Sequence, residues 1–424
     1  MRWLTLSIAF LSIMLTSIAR AEDANAPAEL REEWHDADRN RAIPIKIDYP
    51  KVIDKPLPVV LISHGLGGSR EGLAYVGQYW AQHGYIAVHL QHPGSDETIW
   101  KGVDPQAVPK ALKNAMSVEQ FSERIKDVNF ALDELARKNK EANWPLKGKL
   151  DLNQIAMAGH SFGAVTTMAM CGELFTGGIS FGDARIKAGI VFSPSPPAAR
   201  DPKVAFKDIT IPMFYWTGTK DEVAISPVTP AERRVPFDSS TAGNQYLVVL
   251  KDGDHMVFNG TRLNPGAAPR PNDPAWHELI EKGTTAFLDK YLKSDAAQGK
   301  YLDDGTFATE AKKLGTFEKR DVKKVSVRTL DTKNYAITIT DNRPEGFVEW
   351  NDVKYRGVSK KSGKAINLTG SDYHNLAKDG SPGRFLGYQF KNGDVTYIVL
   401  EEGRLTVTRN DSEVLVDESG AWRE

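Results

Sequence analysis

Residues Ile155 to Met170 read IAMAGHSFGAVTTMAM: an apolar run, a serine between two glycines, then a run with helix-like spacing. Gly159-His160-Ser161-Phe162-Gly163 fits the G-x-S-x-G nucleophile elbow, where a strand turns sharply into a helix and lifts a serine hydroxyl above the sheet edge. Side chains at the flanking positions would clash in so tight a turn, hence the two glycines. The helix N-terminus beneath offers free N–H groups and the positive end of its dipole to developing negative charge. A plain glycine-rich strand-to-helix turn is the competing reading of the pentapeptide. The apolar strand before it and the helical run after it weigh against that reading.

Outward from this turn, apolar runs alternate with amphipathic ones from residue 43 to residue 293. IPIKIDY, LPVVLISHG, GYIAVHLQ, IAMAG, AGIVFS, IPMFYWTG and QYLVVLKDG read as strands. SVEQFSERIKDVNFALDELARK reads as a helix whose apolar face is Phe121, Ile125, Val128, Leu132 and Leu135, with Ser117 and Gln120 as a capping box. DPAWHELIEKGTTAFLDKYL reads as the closing helix, Asp273 at its cap and Pro274 in its first turn. Short apolar strands alternating with helices predict a mostly parallel, doubly wound sheet covered on both faces, the α/β class.

A serine hydroxyl needs a base to become a nucleophile. Elbow folds supply one in the chain order Ser, Asp or Glu, His. Three histidines follow Ser161: His255, His277 and His374. His277 lies within the closing helix and His374 among later strands, which favours the surface for both. His255 follows the strand QYLVVL, and ligands gather at the carboxyl ends of such strands. Asp221 follows IPMFYWTG in the same way and is the expected acid, with Glu222 and then Asp183 as fallbacks. Asp252 and Asp254 lie too close to His255 in sequence to orient it easily. The oxyanion needs two preorganised N–H donors. Phe162, after the nucleophile, supplies one. The stretch His64-Gly65-Leu66-Gly67-Gly68, directly after a strand, resembles an HG-x-G oxyanion loop and supplies Leu66 N–H as the other.

On SHGLGGSREG, GHSFGA and ADRNRAIPIKIDYP, residues 36 to 293 resemble α/β-hydrolases of the dienelactone hydrolase and platelet-activating-factor acetylhydrolase kind, in a secreted bacterial form. The resemblance implies an α/β-hydrolase fold and a serine ester hydrolase that needs neither metal nor other cofactor. One departure stands out. In the acetylhydrolase the acid follows the strand after the nucleophile helix, and here that strand, AGIVFSPSPPA, offers serines and no carboxylate. The acid looks moved to Asp221, as in dienelactone hydrolases and secreted polyester hydrolases.

The rest of the chain adds organisation. MRWLTLSIAFLSIMLTSIARA reads as a signal peptide, residues 1–21, and its removal takes the formal net charge from -1 to -3. A secreted or periplasmic location follows, with no integral span after cleavage. The near-neutral charge without a basic stripe excludes nucleic acid as a partner. The single cysteine, Cys171, makes no intrachain disulfide and reads as packing. Residues 22–293 read as the catalytic domain, 294–320 as a connector with some helix, and 321–424 as a small all-β domain of auxiliary role. In that last part VKKVSVRTL, YAITIT, FLGYQF, VTYIVLEE and RLTVTR are strands and Asn392-Gly393 a hairpin turn. Its Lys and Arg balance its Asp and Glu, 16 against 16, so no charged patch steers an ionic polymer. Its Trp350, Tyr388 and Tyr397 serve either the domain core or a binding face.

Weaker signals remain. His92 and Asp96 read as pocket rim, with packing or loop hydrogen bonds an equal alternative. His89 and His92 are not a metal signature. Trp100, Phe162 and Trp216 read as walls of an apolar pocket or as core, Trp216 especially as core. Asn259-Gly260-Thr261 matches a glycosylation sequon of little weight in a bacterium. The expected partner is a small or polymeric ester, met by a monomer. A polyester or chlorophyllase-like esterase is the runner-up. A non-catalytic binding protein on a degenerate hydrolase fold is the alternative from another class, against which the intact elbow, acid and histidine argue.

Overall fold

The computed structural model describes residues 26–260, 271–321, 326–341, 353–376 and 382–423. The expected signal peptide, Thr261 of the sequon and Trp350 lie outside the described residues. No helix among those described is long and apolar enough to cross a membrane.

A nine-stranded mixed sheet carries the first part of the chain. Its strands are β1 (Ala28–Asp36), β2 (Arg41–Tyr49), β3 (Leu57–Ser63), β4 (Ile86–Leu90), β5 (Leu150–His160), β6 (Ile186–Phe192), β7 (Met213–Lys220), β8 (Gln245–Asp254) and β9 (Gly315–Arg320). Their order is β1-β2-β4-β3-β5-β6-β7-β8-β9. The run from β4 to β8 is parallel throughout, while β1, β2 and β9 join antiparallel.

The parallel strands are buried on both faces, as expected of strands under crossover helices. Alternate residues serve opposite cores. Val59, Leu61, Ile155 and Met157 face α3 (Val118–Lys138) and α4 (Phe162–Met170). Val60, Ile62, Ala156 and Ala158 face α1 (Ala74–Gln82) and α7 (Asp273–Leu292). Between β4 and α3 lies a short α2 (Val108–Ala115), and α5 (Pro202–Ala205) and α6 (Val235–Ser239) link later strands.

The stretch 294–320, expected to connect, does more. Its α8 (Ala296–Asp303) and α9 (Thr306–Ala311) place Leu302, Phe307 and Ala311 in the second core, and β9 pairs along β8 from Gln245↔Arg320 to Leu250↔Gly315. Two caps also differ in detail. Ser117 Oγ accepts from Gln120 N at 3.1 Å, but the Gln120 side chain turns toward Gly94 and its Oε1 has no partner, so only half of the capping box forms. The cap position of α7 is Asn272, with Asp273 its first helical residue.

Beyond Asp321 the chain forms a separate closed barrel of eight antiparallel strands: β10 (Ser326–Thr332), β11 (Tyr335–Asp341), β12 (Val353–Ser359), β13 (Ala365–Leu376), β14 (Pro382–Asn392), β15 (Val395–Leu400), β16 (Arg404–Arg409) and β17 (Glu413–Arg423). Each pairs with the next, and β17 returns to β10. The Asn392-Gly393 turn falls between β14 and β15, with Gly393 at φ 62°. Tyr388 and Phe390 sit in the barrel core with Leu330, Ile339 and Val399, and Tyr397 packs against it. At eight strands a barrel is just wide enough for side chains to fill it.

Candidate active site

Because the central strands are parallel, their carboxyl ends share one edge of the sheet. Four of the features singled out above follow such ends. His64 to Gly68 follow β3, Ser161 follows β5, Asp221 follows β7 and His255 follows β8.

The β5–α4 turn brings backbone against backbone. A Cβ at Gly163 would lie 2.0 Å from Ser63 O, and one at Gly159 would lie 2.2 Å from Gly163 O, so neither position admits a side chain. Ser161 is held at φ 54°, ψ -114°, a conformation that costs a non-glycine residue roughly 1–3 kcal/mol. Its N–H donates to Phe192 O at 2.9 Å, which ties the turn to the neighbouring strand end. Phe162 opens α4.

His255 Nδ1 lies 2.8 Å from Asp221 Oδ1. An ionised carboxylate only accepts, so Nδ1 carries a proton and Nε2 is the nitrogen left for the serine. Asp221 is fully buried, and Thr217 Oγ1 donates to its Oδ2 at 2.8 Å. Buried Arg233 donates from Nε to Asp221 O at 2.7 Å, and the same nitrogen is 2.8 Å from Oδ1. Burial alone would raise the Asp221 carboxyl, but the hydrogen bond from His255 and the charges of His255 and Arg233 outweigh it and hold the group below its usual value. The acid is therefore a charged acceptor beneath the imidazole. Among the described residues Ser161 has no hydrogen bond to His255; such bonds commonly tighten only in the complex with substrate.

His160, between the strand and the serine, clamps the base. Its Nε2 donates to His255 O at 2.8 Å and the two rings lie 4.6 Å apart. Burial, then the neighbouring His255, pushes its imidazole down to about 3.

In the loop after β3, Gly67 N–H donates to Ser95 O at 2.9 Å and Gly68 N–H to Gly65 O at 3.0 Å. Neither Leu66 N–H nor Phe162 N–H has an acceptor among the described residues, so both remain available to a ligand oxygen. Gly67 is at φ +71°, and a Cβ there would lie 2.9 Å from Leu112 Cδ2 and 3.1 Å from Trp100 Cδ1. Trp100 is partly exposed and its Nε1 donates to Gly67 O at 2.6 Å, which puts the indole beside this loop.

Other singled-out residues lie elsewhere. His92 is not at a rim. It is fully buried, its Nδ1 3.0 Å from Asp127 Oδ2 and its Nε2 2.9 Å from Ser63 Oγ. Asp96 is buried too, capping the turn after it and accepting from Gln91 Nε2 at 2.7 Å. Trp216 is core, in a cluster with Phe192, Phe214 and Phe307. Its side chain packs in the core on the sheet face that α1 and α7 cover. Asp183 is engaged with Arg185, and Glu222 is exposed with no bond to His255. His277 donates to Val257 O at 2.8 Å and stacks on Tyr75. Cys171 is buried, and burial pushes its thiol up out of reactive range.

Sequence reasoning missed Arg233, His160, Arg124 and Asp127. For the last two a signal existed: Arg124 and Asp127 flank Ile125 and Val128 on the apolar stripe of α3, where a charge needs a buried partner. Arg233 sits in a polar stretch that carries no such pattern.

No protein-family model matches the chain. Two platelet-activating factor acetylhydrolases are distantly similar to it. The platelet-activating factor acetylhydrolase of Cavia porcellus is 26% identical over 292 residues, 60% of this chain and 62% of the relative. That of Canis lupus familiaris is 24% identical over 159 residues, 31% of this chain and 34% of the relative. The chain thus spans less than two thirds of the length of either relative.

Proposed function

We propose that the chain is a serine hydrolase of carboxylic esters, built on an α/β-hydrolase fold. The observation that carries this reading is the strained Ser161 at the N-terminus of α4 on the same sheet edge as the buried His255–Asp221 pair. The strand order, with its parallel core, supports the fold assignment, and the distant likeness to two acetylhydrolases supports the reaction class.

The chemistry follows from the proton positions. Ser161 Oγ attacks the ester carbonyl carbon as His255 Nε2 takes its proton. Asp221 Oδ1, accepting from Nδ1–H, favours the imidazolium so formed. The carbonyl oxygen becomes an oxyanion between Leu66 N–H and Phe162 N–H. Collapse breaks the carbon–oxygen bond, and the Nε2 proton passes to the leaving alkoxide. Water, deprotonated by the same nitrogen, then attacks the acyl-enzyme and releases the acid and Ser161 Oγ–H. None of these steps calls on a metal.

Trp100 and Leu112 flank the oxyanion loop and support an apolar wall at the acyl or alcohol side. Cleavage after Ala21 would export the enzyme. The catalytic unit would run through Arg320 and the barrel would serve attachment or stability. The test is a fluorophosphonate probe with a panel of p-nitrophenyl esters of increasing acyl length, a polyester film and platelet-activating factor itself. Labelling at Ser161 with turnover of short esters is expected. An unlabelled, folded protein inert to the panel would refute the reading and favour a binding role.

A further inference from the structure

Arg124, on α3, is fully buried. Its Nε donates to Ser95 Oγ at 2.8 Å. One Nη1 donates to His64 O at 2.8 Å and to Ser63 Oγ at 3.3 Å. The guanidinium carbon lies 4.4 Å from the centroid of the Phe162 ring. No carboxylate forms an ion pair with it among the described residues. Asp127 and Asp96, whose charges act on it from a distance, are engaged elsewhere, Asp127 by Arg39, Arg41 and His92 and Asp96 by Gln91 and Thr98.

A buried charge without an ion-pair partner is costly, and an apolar residue of similar volume would fill the space at lower cost. What the guanidinium does instead is touch both halves of the proposed oxyanion hole. On one side it fixes the His64 carbonyl, and so the peptide that leads into Gly65 and Leu66. It also holds the Ser95 side chain, and the Ser95 carbonyl takes up Gly67 N–H. That leaves Leu66 N–H free. On the other side it lies over the side chain of Phe162. His64 is braced further, its Nε2 accepting from His92 N at 3.0 Å and its Nδ1 donating to Gly65 O at 2.6 Å.

We infer that Arg124 is a positioning residue of the oxyanion hole, its planar fork setting the spacing between the Leu66 and Phe162 donors. The inference rests on the ester-hydrolase reading. Such donors must sit within about 0.5 Å of their working positions, and a rigid guanidinium hydrogen-bonded on one side and stacked on a ring on the other meets that demand where a lysine ammonium does not.

The experiment compares wild type with R124K and R124M, using p-nitrophenyl acetate for kcat and KM and 1,1,1-trifluorodecan-2-one as an inhibitor. The ketone carbon accepts Ser161 Oγ, the serine proton passes to His255, and the resulting oxyanion fills the hole. Loss of a whole donor costs about 10²–10³ in kcat. Displacing donors should cost less, about ten- to a hundred-fold in both variants, with KM little changed and ketone affinity falling by the same factor as kcat. R124M or R124K that melts earlier but keeps kcat and ketone affinity would overturn the inference and leave Arg124 a packing residue. Should neither variant fold, S95A removes the acceptor of Nε together with the 3.2 Å bond from Ser95 Oγ to His92 O. A loss of about threefold or more in ketone affinity then supports the inference, and an unchanged affinity overturns it. A wild-type protein that neither turns over the ester nor binds the ketone fails at the ester-hydrolase reading itself, and the role assigned to Arg124 falls with it.

Discussion

Replacing Asp221 by Asn should cost less here than in a triad whose acid faces the imidazole alone. His255 Nδ1 donates to Oδ1 at 2.8 Å, and the Arg233 guanidinium, whose Nε–H donates to the Asp221 carbonyl, lies beside the same oxygen as a positive charge, whereas Oδ2 meets the Thr217 hydroxyl. An asparagine can place its oxygen where Oδ1 stood and its amide toward Thr217, whose hydroxyl turns to accept. The reverse orientation would set an amide against the His255 N–H and the Arg233 charge. Arg233 therefore fixes the amide, and through it keeps the proton on His255 Nδ1. The wrong-tautomer loss of about 10⁴ in kcat does not apply. What is lost is the carboxylate charge facing the imidazolium as it forms. At an effective dielectric of about 20 and a separation of about 4 Å, that attraction is about 4 kcal/mol, or about 10³ in rate. Asp221→Ala leaves His255 Nδ1 unpaired, while Arg233 keeps its bond to the residue-221 carbonyl, and should lose more, about 10⁴ or beyond. The assay is kcat on p-nitrophenyl acetate at pH 8 for both variants, with thermal unfolding to show that each is folded. If Asp221→Asn is as slow as Asp221→Ala, Arg233 does not orient the amide. If it is within about threefold of wild type, Asp221 is not the acid.

Ser161→Ala should abolish fluorophosphonate labelling and lower kcat by up to about 10⁶ with the fold intact, and labelling at another serine would refute the assignment. Stability should fall on acidification. His160 and His92 are held at about 3 and about 4 by burial, below the unfolded value of about 6.5, so the unfolded chain binds more protons at intermediate pH. Between about pH 6 and pH 4 these two sites give a slope of about 2 kcal/mol per unit, steepest near pH 5, stability being highest above pH 7. Urea midpoints from pH 7 to pH 4 test this, and a flat profile contradicts it. A chain truncated after Arg320 should keep most activity on a small ester. One truncated after Lys293 loses buried Leu302 and Phe307 together with β9 and should be destabilised by more than about 5 kcal/mol, read as soluble yield and melting temperature.

The parallel core and the serine turn were legible in the sequence for a physical reason. A strand buried on both faces must be a continuous apolar run, and β3, β5, β6 and β7 are such runs. The turn after β5 brings backbone within 2.0 Å of where a side chain would begin, so glycine is compulsory and visible. The two edges of the sheet were not legible. β1 reads AELREEWHD and β9 reads GTFEKR. An edge strand exposes alternate residues to water and takes charges there, so it looks like a polar connector. Three barrel strands, β12, β13 and β17, escaped for the same reason, since a narrow barrel buries only every second residue.

The candidate site divides along the same line. Ser161, Asp221 and His255 could be picked out because each follows an apolar strand, and parallel strands end on one side. Their partners could not. Arg233 reaches Asp221 from a polar stretch, His92 turns inward to Asp127, and Arg124 spans from α3 to the loop after β3. A hydrogen bond between side chains far apart in the chain leaves no period in the sequence. It depends on where helices and loops come to rest on the sheet, and only the folded arrangement decides that.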